Sequence, residues 1–333
     1  MSNQTAIGLF SGAGGLDVGL EAAGFELKAC VELEQVRCET LAQNRPQWAV
    51  LQADIHNISG DDLLSHSECE QIDLIAAGPP CQPFSKSAYW KTEGKVIDGI
   101  RSQLIFEPVR IARETDAKAV IIENVPGLCY RHAKPILDEL LANLSKAGYY
   151  TTWGVLDAAS YGVPQHRKRL LIFGMRDRQP TLPRATHKAG GYVTAGQALG
   201  NLEENPISDQ EQVRGKYGEL LRYIPPGQNY IYLTERGEGD SIFRYRSKYW
   251  NFLLKLSPER PSWTVASDVG MYTGPFHWDS RRLSIPELKR LQTIPDDWAF
   301  SGGYRTVRKQ IGDAVPPLFA QRLGEHAIKQ LGG

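Results

Sequence analysis

Ala6-Ile7-Gly8-Leu9-Phe10-Ser11-Gly12-Ala13-Gly14-Gly15-Leu16 passes from an apolar run into a glycine cluster, and a helical pattern continues through Glu21-Ala22-Ala23-Gly24. This order predicts a strand, a tight turn and a helix. Glycines let a backbone approach a ligand, and a helix amino end favours anionic groups, so the stretch reads as a cofactor-binding turn of an α/β sheet. Alone it also fits a tight turn that binds nothing. The spacing Gly12-x-Gly14-Gly15 differs from the Gly-x-Gly-x-x-Gly of dinucleotide sites, which argues against a nicotinamide oxidoreductase.

Working outward, the same rhythm recurs. A second strand, Leu27 to Val31, ends at Glu32, where a carboxylate is placed to accept from ribose hydroxyls. A third, Ala49 to Leu51, leads into Asp54-Ile55, where a carboxylate can accept from an exocyclic amine. Taken singly, each acid also reads as a cap or a surface charge. A fourth, Ile72 to Ala77, runs into Gly78-Pro79-Pro80-Cys81-Gln82-Pro83-Phe84-Ser85, and a fifth, Ala119 to Ile122, into Glu123-Asn124-Val125. Strands near Thr151 to Val155 and Leu170 to Gly174 complete the sheet. The fold class is therefore α/β, a Rossmann-like, doubly wound, mostly parallel sheet. In such a sheet strand ends share one edge, which gathers Ser11, Glu32, Asp54, Cys81 and Glu123. Three prolines deny the Cys81 segment a helix and hold the thiol on a stiff loop, with Ser85 and Ser87 nearby. A buried packing cysteine is the alternative. Polar Lys86 to Gly99 reads as a lid or as a surface loop.

The 333 residues allow one large domain plus a small one. Residues 1–178 are expected to form the catalytic and cofactor-binding domain and 259–333 to return to it. Between them, 179–258 lose the βαβ rhythm and form a second, smaller, irregular domain. Helices are expected over Gln103 to Glu114, Ala133 to Ala147 and Leu318 to Leu331. Another begins at a Ser284 cap with Pro286 early and Glu287 closing a capping box. The five cysteines are scattered without a Cys-x-x-Cys pair, so neither zinc nor a disulfide framework is expected. No membrane span and no export signal are visible, and a cytoplasmic monomer is expected. Charge balances at 38 basic against 38 acidic residues, which argues weakly against a polyanion partner. Its distribution argues the other way. Arg167, Lys168, Arg169, Arg176 and Arg178 cluster, as do Arg236, Arg244, Arg246 and Lys248 with Tyr245, Tyr249 and Trp250. His166, among cations that disfavour its charged form, is not expected to be a catalyst.

Leu9 to Leu16, Glu32, Asp54, Gly78 to Ser85, Glu123-Asn124-Val125, Gln165-x-Arg167-x-Arg169, Arg260 to Thr264 and Gly312 to Pro317 occur together and in this order. In these stretches the chain resembles the DNA (cytosine-5)-methyltransferases of the bacterial modification-enzyme type, over nearly all its length except about 179–255. The resemblance implies a class I S-adenosylmethionine-dependent methyltransferase fold and a cytosine flipped from duplex DNA as acceptor. It carries Cys81 as nucleophile, Glu123 on the cytosine N3 and amino edge, and Arg169 on the base carbonyl, with Arg167 and Gln165 in support. It places Phe10, Ser11, Gly12, Ala13, Gly14, Gly15, Leu16, Glu32, Leu33, Asp54, Ile55, Gly78, Pro80, Asp313 and Val315 at the donor. The middle segment becomes a target recognition domain, with Ser85, Ser87, Arg244, Arg246, Lys248 and Thr264 at the DNA. A cognate restriction endonuclease is a functional partner of such enzymes.

The chemistry is consistent with these residues and calls for no metal. Cytosine C5 is a poor nucleophile; thiolate addition at C6 creates an enamine, and Glu123 stabilises the charge at N3. One departure stands out. The family usually has Asn where this chain has Asp313, beside the donor's amino-acid end. A carboxylate there would repel the donor's own, so Asp313→Asn is expected to tighten donor binding. Two readings remain beside the DNA enzyme: the same chemistry on RNA, and a non-catalytic DNA-binding protein on this fold.

Overall fold

The computed structural model describes residues 4–80, 103–200, 202 and 208–332. Cys81, Ser85, Ser87 and the Lys86 to Gly99 stretch lie outside them. Seven strands form one sheet: β1 (Thr5–Leu9), β2 (Glu26–Glu32), β3 (Ala49–Gln52), β4 (Leu74–Ala77), β5 (Ala119–Asn124), β6 (Tyr150–Asp157) and β7 (Lys168–Met175). Their spatial order is β3-β2-β1-β4-β5-β7-β6. The first five are parallel, as the alternating strand–helix rhythm requires. β7 runs antiparallel to both β5 and β6. The reason is local: residues 158–167 supply only a 3-10 turn, Ala158–Tyr161, too little chain for a parallel crossover.

Both faces of the sheet are covered, which is why β4 and β5 are continuous apolar runs. Alternate residues point to opposite sides. Ala6, Leu74, Ala76, Ala119 and Ile121 join one core with α1 (Gly15–Ala23) and the carboxyl-terminal helices. Ile7, Leu9, Ile75, Ala77, Val120 and Ile122 join the other. That second core is closed by α3 (Gly60–Ser67), α4 (Glu107–Glu114) and α5 (Lys134–Lys146). α2 (Gln35–Asn44) follows β2, and α6 (Ala195–Leu199) precedes the small unit.

The carboxyl-terminal return is α7 (Ile285–Leu291), α8 (Tyr304–Asp313) and α9 (Pro317–Leu331). The expected capping box is present: Ser284 Oγ accepts from Glu287 N, and Glu287 Oε2 accepts from Ser284 N at 2.8 Å. α9 lies against α1 closely enough that a Cβ on Gly19 would stand 2.3 Å from Ala320 Cβ. This contact brings residues 312–317 back to the glycine turn.

Residues 208–283 contain 3-10 turns and isolated bridges but no named strand. They hold a core of their own around Leu221, Ile224, Tyr230, Leu233, Leu253 and Phe276. Edge-on contacts of Tyr217 with Phe243, Phe252 and Tyr272 fill it. Leu182, Ala195 and Leu199 pack in the main core instead. Among the described residues no helix is long and apolar enough to cross a membrane.

Candidate active site

The strand order reverses between β1 and β4, with β2 and β3 to one side and β5 to the other. A crevice opens at such a point, beyond the carboxyl ends of the strands. Here it is a cavity of about 1330 Å³. Small-molecule sites range from roughly 300 to 1,000 Å³, so this one has room for more than a single small ligand.

The glycine turn forms its first wall. Phe10, Gly12 and Gly14 all adopt positive φ, of 56°, 56° and 86°. Gly12 and Gly14 take such angles without strain, whereas Phe10 adopts one with a full side chain. Phe10, Ser11, Gly12 and Leu16 line the cavity. Ala13, Gly14 and Gly15 do not; they pack behind it. A Cβ on Gly14 would meet Leu41 at 2.8 Å, and one on Gly15 would meet the Val315 carbonyl at 2.2 Å. These glycines permit packing of the turn against its neighbours.

Glu32 is buried at the end of β2 and fastens the turn. Its Oε2 accepts from Gly12 N at 2.7 Å, and its Oε1 accepts from Leu33 N and Glu34 N, both at 2.8 Å. Three backbone donors already occupy the carboxylate expected to meet a ribose: Oε1 accepts two of them, and Oε2, which accepts one, keeps a second acceptor site. Asp54 caps a short turn, accepting from His56 N at 3.1 Å and standing 2.8 Å from its Nδ1. The His56 amide and ring hold its carboxyl below the usual range. Leu33, Ile55, Gly78, Pro80, Asp313 and Val315 also line the cavity.

Glu123 and Arg169 form the opposite wall, from β5 and β7. Arg169 Nε lies 2.6 Å from Glu123 Oε1, with both side chains largely buried. Asn124 donates to the Pro79 carbonyl at 3.3 Å and accepts from Val125 N at 2.8 Å, anchoring the loop that leads toward Cys81.

Gln165 and Arg167 lie behind that wall, fully buried. Gln165 donates to the Leu291 carbonyl at 3.1 Å and to Gln292 Oε1 at 2.8 Å, and accepts from Val265 N. Arg167 donates to the carbonyls of Val265 at 3.1 Å and Gly312 at 3.0 Å. Both bind the return segment to the end of the sheet. His166 is held by Asp157 Oδ2 at 3.0 Å, so a carboxylate is its immediate ionic neighbour rather than a cation. Thr264 Oγ1 donates to the His166 carbonyl. Arg244, Arg246 and Lys248 are exposed on the small unit and do not line the cavity.

Three features, two lining the cavity and one beneath it, escaped the sequence reading. Arg282, Arg305 and Arg308 line it and form no ion pair among the described residues. Arg282 is lowered by burial and by the charge of Arg308, so the two are neighbours. Arg37 lines it from α2 and pairs with Asp313 at 2.8 Å. Asp17, beneath the turn, is wholly buried, and neither carboxylate oxygen has a well-formed hydrogen bond among the described residues. The only advance signal for Arg37 was its (i, i+3) spacing from Glu34, which ordinarily marks a solvated surface pair.

The sequence profile of the C-5 cytosine-specific DNA methylases matches residues 4–329. The type II methyltransferase M.SacI of Streptomyces achromogenes is 38% identical, over 98% of this chain and 93% of that protein. M1.HphI of Haemophilus parahaemolyticus, also a type II methyltransferase, is 33% identical over 98% of this chain and 87% of its own. Among solved structures, the Dnmt2 methyltransferase of S. pombe superposes with a TM-score of 0.69 at 16% identity, covering 99% of this chain and 100% of that one. At that identity the likeness speaks for the fold alone.

Proposed function

The chain belongs to the C-5 cytosine-specific DNA methylase family, and we propose that it methylates C5 of a cytosine flipped out of a specific duplex sequence, through a covalent Cys81 adduct at C6. Its similarity to type II methyltransferases supports reading it as an enzyme of the restriction–modification type. One observation supports the two-substrate reading above others: the cavity lined by the glycine turn, Glu32 and Asp54 is also lined by Glu123 and Arg169. Its volume exceeds what one small ligand needs.

The donor end fits S-adenosylmethionine, which the family implies. Gly12 leaves a cradle that any side chain would fill. Apolar Phe10, Leu16 and Ile55, carboxylates at Glu32 and Asp54, and the Arg37 cation suit a ligand with a base, a ribose and a charged amino-acid end. When bound, it supplies a methyl group on a sulfonium. In sequence Cys81 directly follows Pro80, which lines the cavity, and its thiolate is proposed to bond to C6 of the base. Glu123 meets N3 and the amino edge, stabilising the charge that the adduct develops; Arg169 orients Glu123 and faces the base carbonyl. C5 then accepts the methyl group, a base removes the C5 proton, and the Cys81–C6 bond breaks.

Duplex DNA is proposed to lie between the sheet edge and the small unit. The unpaired Arg282, Arg305 and Arg308 form the near wall of this cleft, and exposed Arg244, Arg246, Lys248 and Thr264 extend it. The residues 179–258 are proposed to supply most of the recognition surface. The proposed setting is a cytoplasmic monomer, with a cognate restriction endonuclease as functional counterpart. Incubation with labelled donor and DNA carrying 5-fluorocytosine tests the reading, because fluorine blocks the final elimination. A complex that survives denaturing gels is expected with wild type and not with Cys81→Ala. Equal transfer to RNA, or wild-type turnover by Cys81→Ala, would overturn it.

A further inference from the structure

We propose that Arg37 is the residue that receives the carboxylate of the methyl donor, and that Asp313 and Glu34 aim it. The guanidinium is largely enclosed, with only 12% of the side chain exposed. Its Nε is held by Glu34 Oε2 at 3.1 Å and its Nη2 by Asp313 Oδ2 at 2.8 Å. Its Nη1 has no hydrogen-bond acceptor among the described residues. That nitrogen lies 3.3 Å from the point where a Cβ on Gly12 would stand, on the cavity side of the glycine turn. Two edges of the guanidinium are thus fixed by acids, and the third points at the turn.

Charge makes the same point. Glu32, Glu34 and Asp313 bring three carboxylates to this corner, while Lys309 serves Glu34 at 3.3 Å. A donor carboxylate entering beside them would be repelled unless a cation met it. Arg37 is the cation in reach of the turn. Asp313, in place of an asparagine, then has a use: it is the acceptor that holds Arg37 against the site, and its charge is spent on the guanidinium.

This inference rests on the donor reading of the glycine-turn end of the cavity, and its test separates the two. Calorimetry would compare S-adenosylmethionine with its decarboxylated form, which lacks only the carboxylate. Wild type is expected to bind both, the first more tightly. Arg37→Met is expected to weaken S-adenosylmethionine by roughly 10- to 100-fold, the range for a hydrogen bond to a charged group, and to leave the decarboxylated ligand within about twofold. Asp313→Asn is expected to weaken S-adenosylmethionine by less. In the Arg37→Met background it is expected to strengthen binding instead, since an unpaired Asp313 would there face the donor. Equal losses for both ligands, or none, would overturn the assignment while leaving the donor site standing. Failure of wild type to bind either ligand would remove the donor reading, and this inference with it. Arg37→Lys, which keeps the charge and loses the fork, guards against a folding artefact: partial recovery for S-adenosylmethionine alone is the expected result.

Discussion

Glu123 divides its two carboxylate oxygens between two neighbours: Oε1 lies 2.6 Å from Arg169 Nε, and Oε2 lies 3.7 Å from where a Cβ on Gly78 would stand. One oxygen is therefore fixed by the last strand of the sheet. The other faces the loop that leads to Cys81. The register of β5 and β7, in which Glu123 opposes Leu171, places the two charged side chains at the same sheet edge.

The first prediction follows from Oε2. Gly78 has no positive φ, and an added methyl would make only ordinary contact with Glu123. Gly78→Ala is expected to leave the folding stability unchanged within about 0.5 kcal/mol. It would crowd the space in which the base edge must meet Glu123, so turnover is expected to fall while S-adenosylhomocysteine still binds. Glu123→Gln removes the acid itself and is expected to lower kcat/KM by roughly 10² to 10⁴. Steady-state methylation with calorimetry on the same preparations checks both. Equal losses of donor binding and turnover in Gly78→Ala would contradict this geometry.

Gly15 and Gly19 support the second prediction. A Cβ on Gly15 would stand 2.2 Å from the Val315 carbonyl, and one on Gly19 would stand 2.4 Å from the Pro317 carbonyl. Backbone cannot yield as a flexible side chain can. Gly15→Ala and Gly19→Ala are each expected to destabilise the fold by about 1–3 kcal/mol, the usual range for overpacking, despite the better helix propensity of alanine. Urea midpoints measure this. An unchanged or raised midpoint would mean that the return segment is not packed as closely as described.

Why could some of this be read from residues alone, and some not? The ends of β1, β2, β3 and β5 carry Ser11, Glu32, Asp54 and Glu123, and a parallel sheet brings strand ends together whatever the details. Pattern therefore sufficed to gather them, and Ser284 with Glu287 announced its own capping box. The antiparallel β7 required knowing that residues 158–167 are too short to cross over. Gln165 and Arg167 entered through the family resemblance, as support for the base pocket; their hydrogen bonds to Val265 and Gly312, across 100 and 145 positions, could not be read locally. Arg37 and Asp313 are 276 positions apart, and no local rule pairs them. Once paired, Asp313 is no longer a bare charge at the cavity. That pairing gives a reason to expect the opposite sign for Asp313→Asn, and donor titration of the variant decides between the two expectations.

Asp17 makes the fold sensitive to pH. It sits wholly buried, its Oδ1 filling the place where a Cβ on Gly8 would stand. Burial pushes its carboxyl up to about 7, with the Ser11 hydroxyl opposing and the Glu32 charge adding to the rise. The folded state then holds this proton more tightly than the unfolded chain, whose carboxyl keeps the ordinary value. Stability from this group is therefore full at low pH and is lost as pH rises through the window between the two values. Stability is expected to fall from about pH 4 to about pH 7 and to level above it, by on the order of a few kcal/mol in all, with the thermal midpoint following it. Asp17→Asn should flatten that slope and be the more stable protein at pH 8. A wild-type midpoint that rises across the same window would show that Asp17 folds in its charged form.

The last prediction concerns the cleft wall. Arg282, Arg305 and Arg308 share one side of the cavity without a carboxylate partner, and Arg282 and Arg308 are close enough to depress one of the pair. Like charges held together raise the energy of the free protein, and an anion from outside relieves it. Phosphate contacts release counterions, so each true contact contributes about one unit to the slope of log K against log salt. Arg308→Ala and Arg282→Ala are each expected to reduce that slope by about 1 and to weaken binding uniformly across DNA sequences. Exposed Arg244 and Lys248, farther from the cavity, serve as the comparison. Should alanine at Arg244 or Lys248 change the slope while Arg282→Ala and Arg308→Ala do not, the duplex runs over the small unit and away from this wall. Fluorescence anisotropy over a salt series, with S-adenosylhomocysteine affinity measured in parallel to exclude loss of the donor site, decides between the two paths.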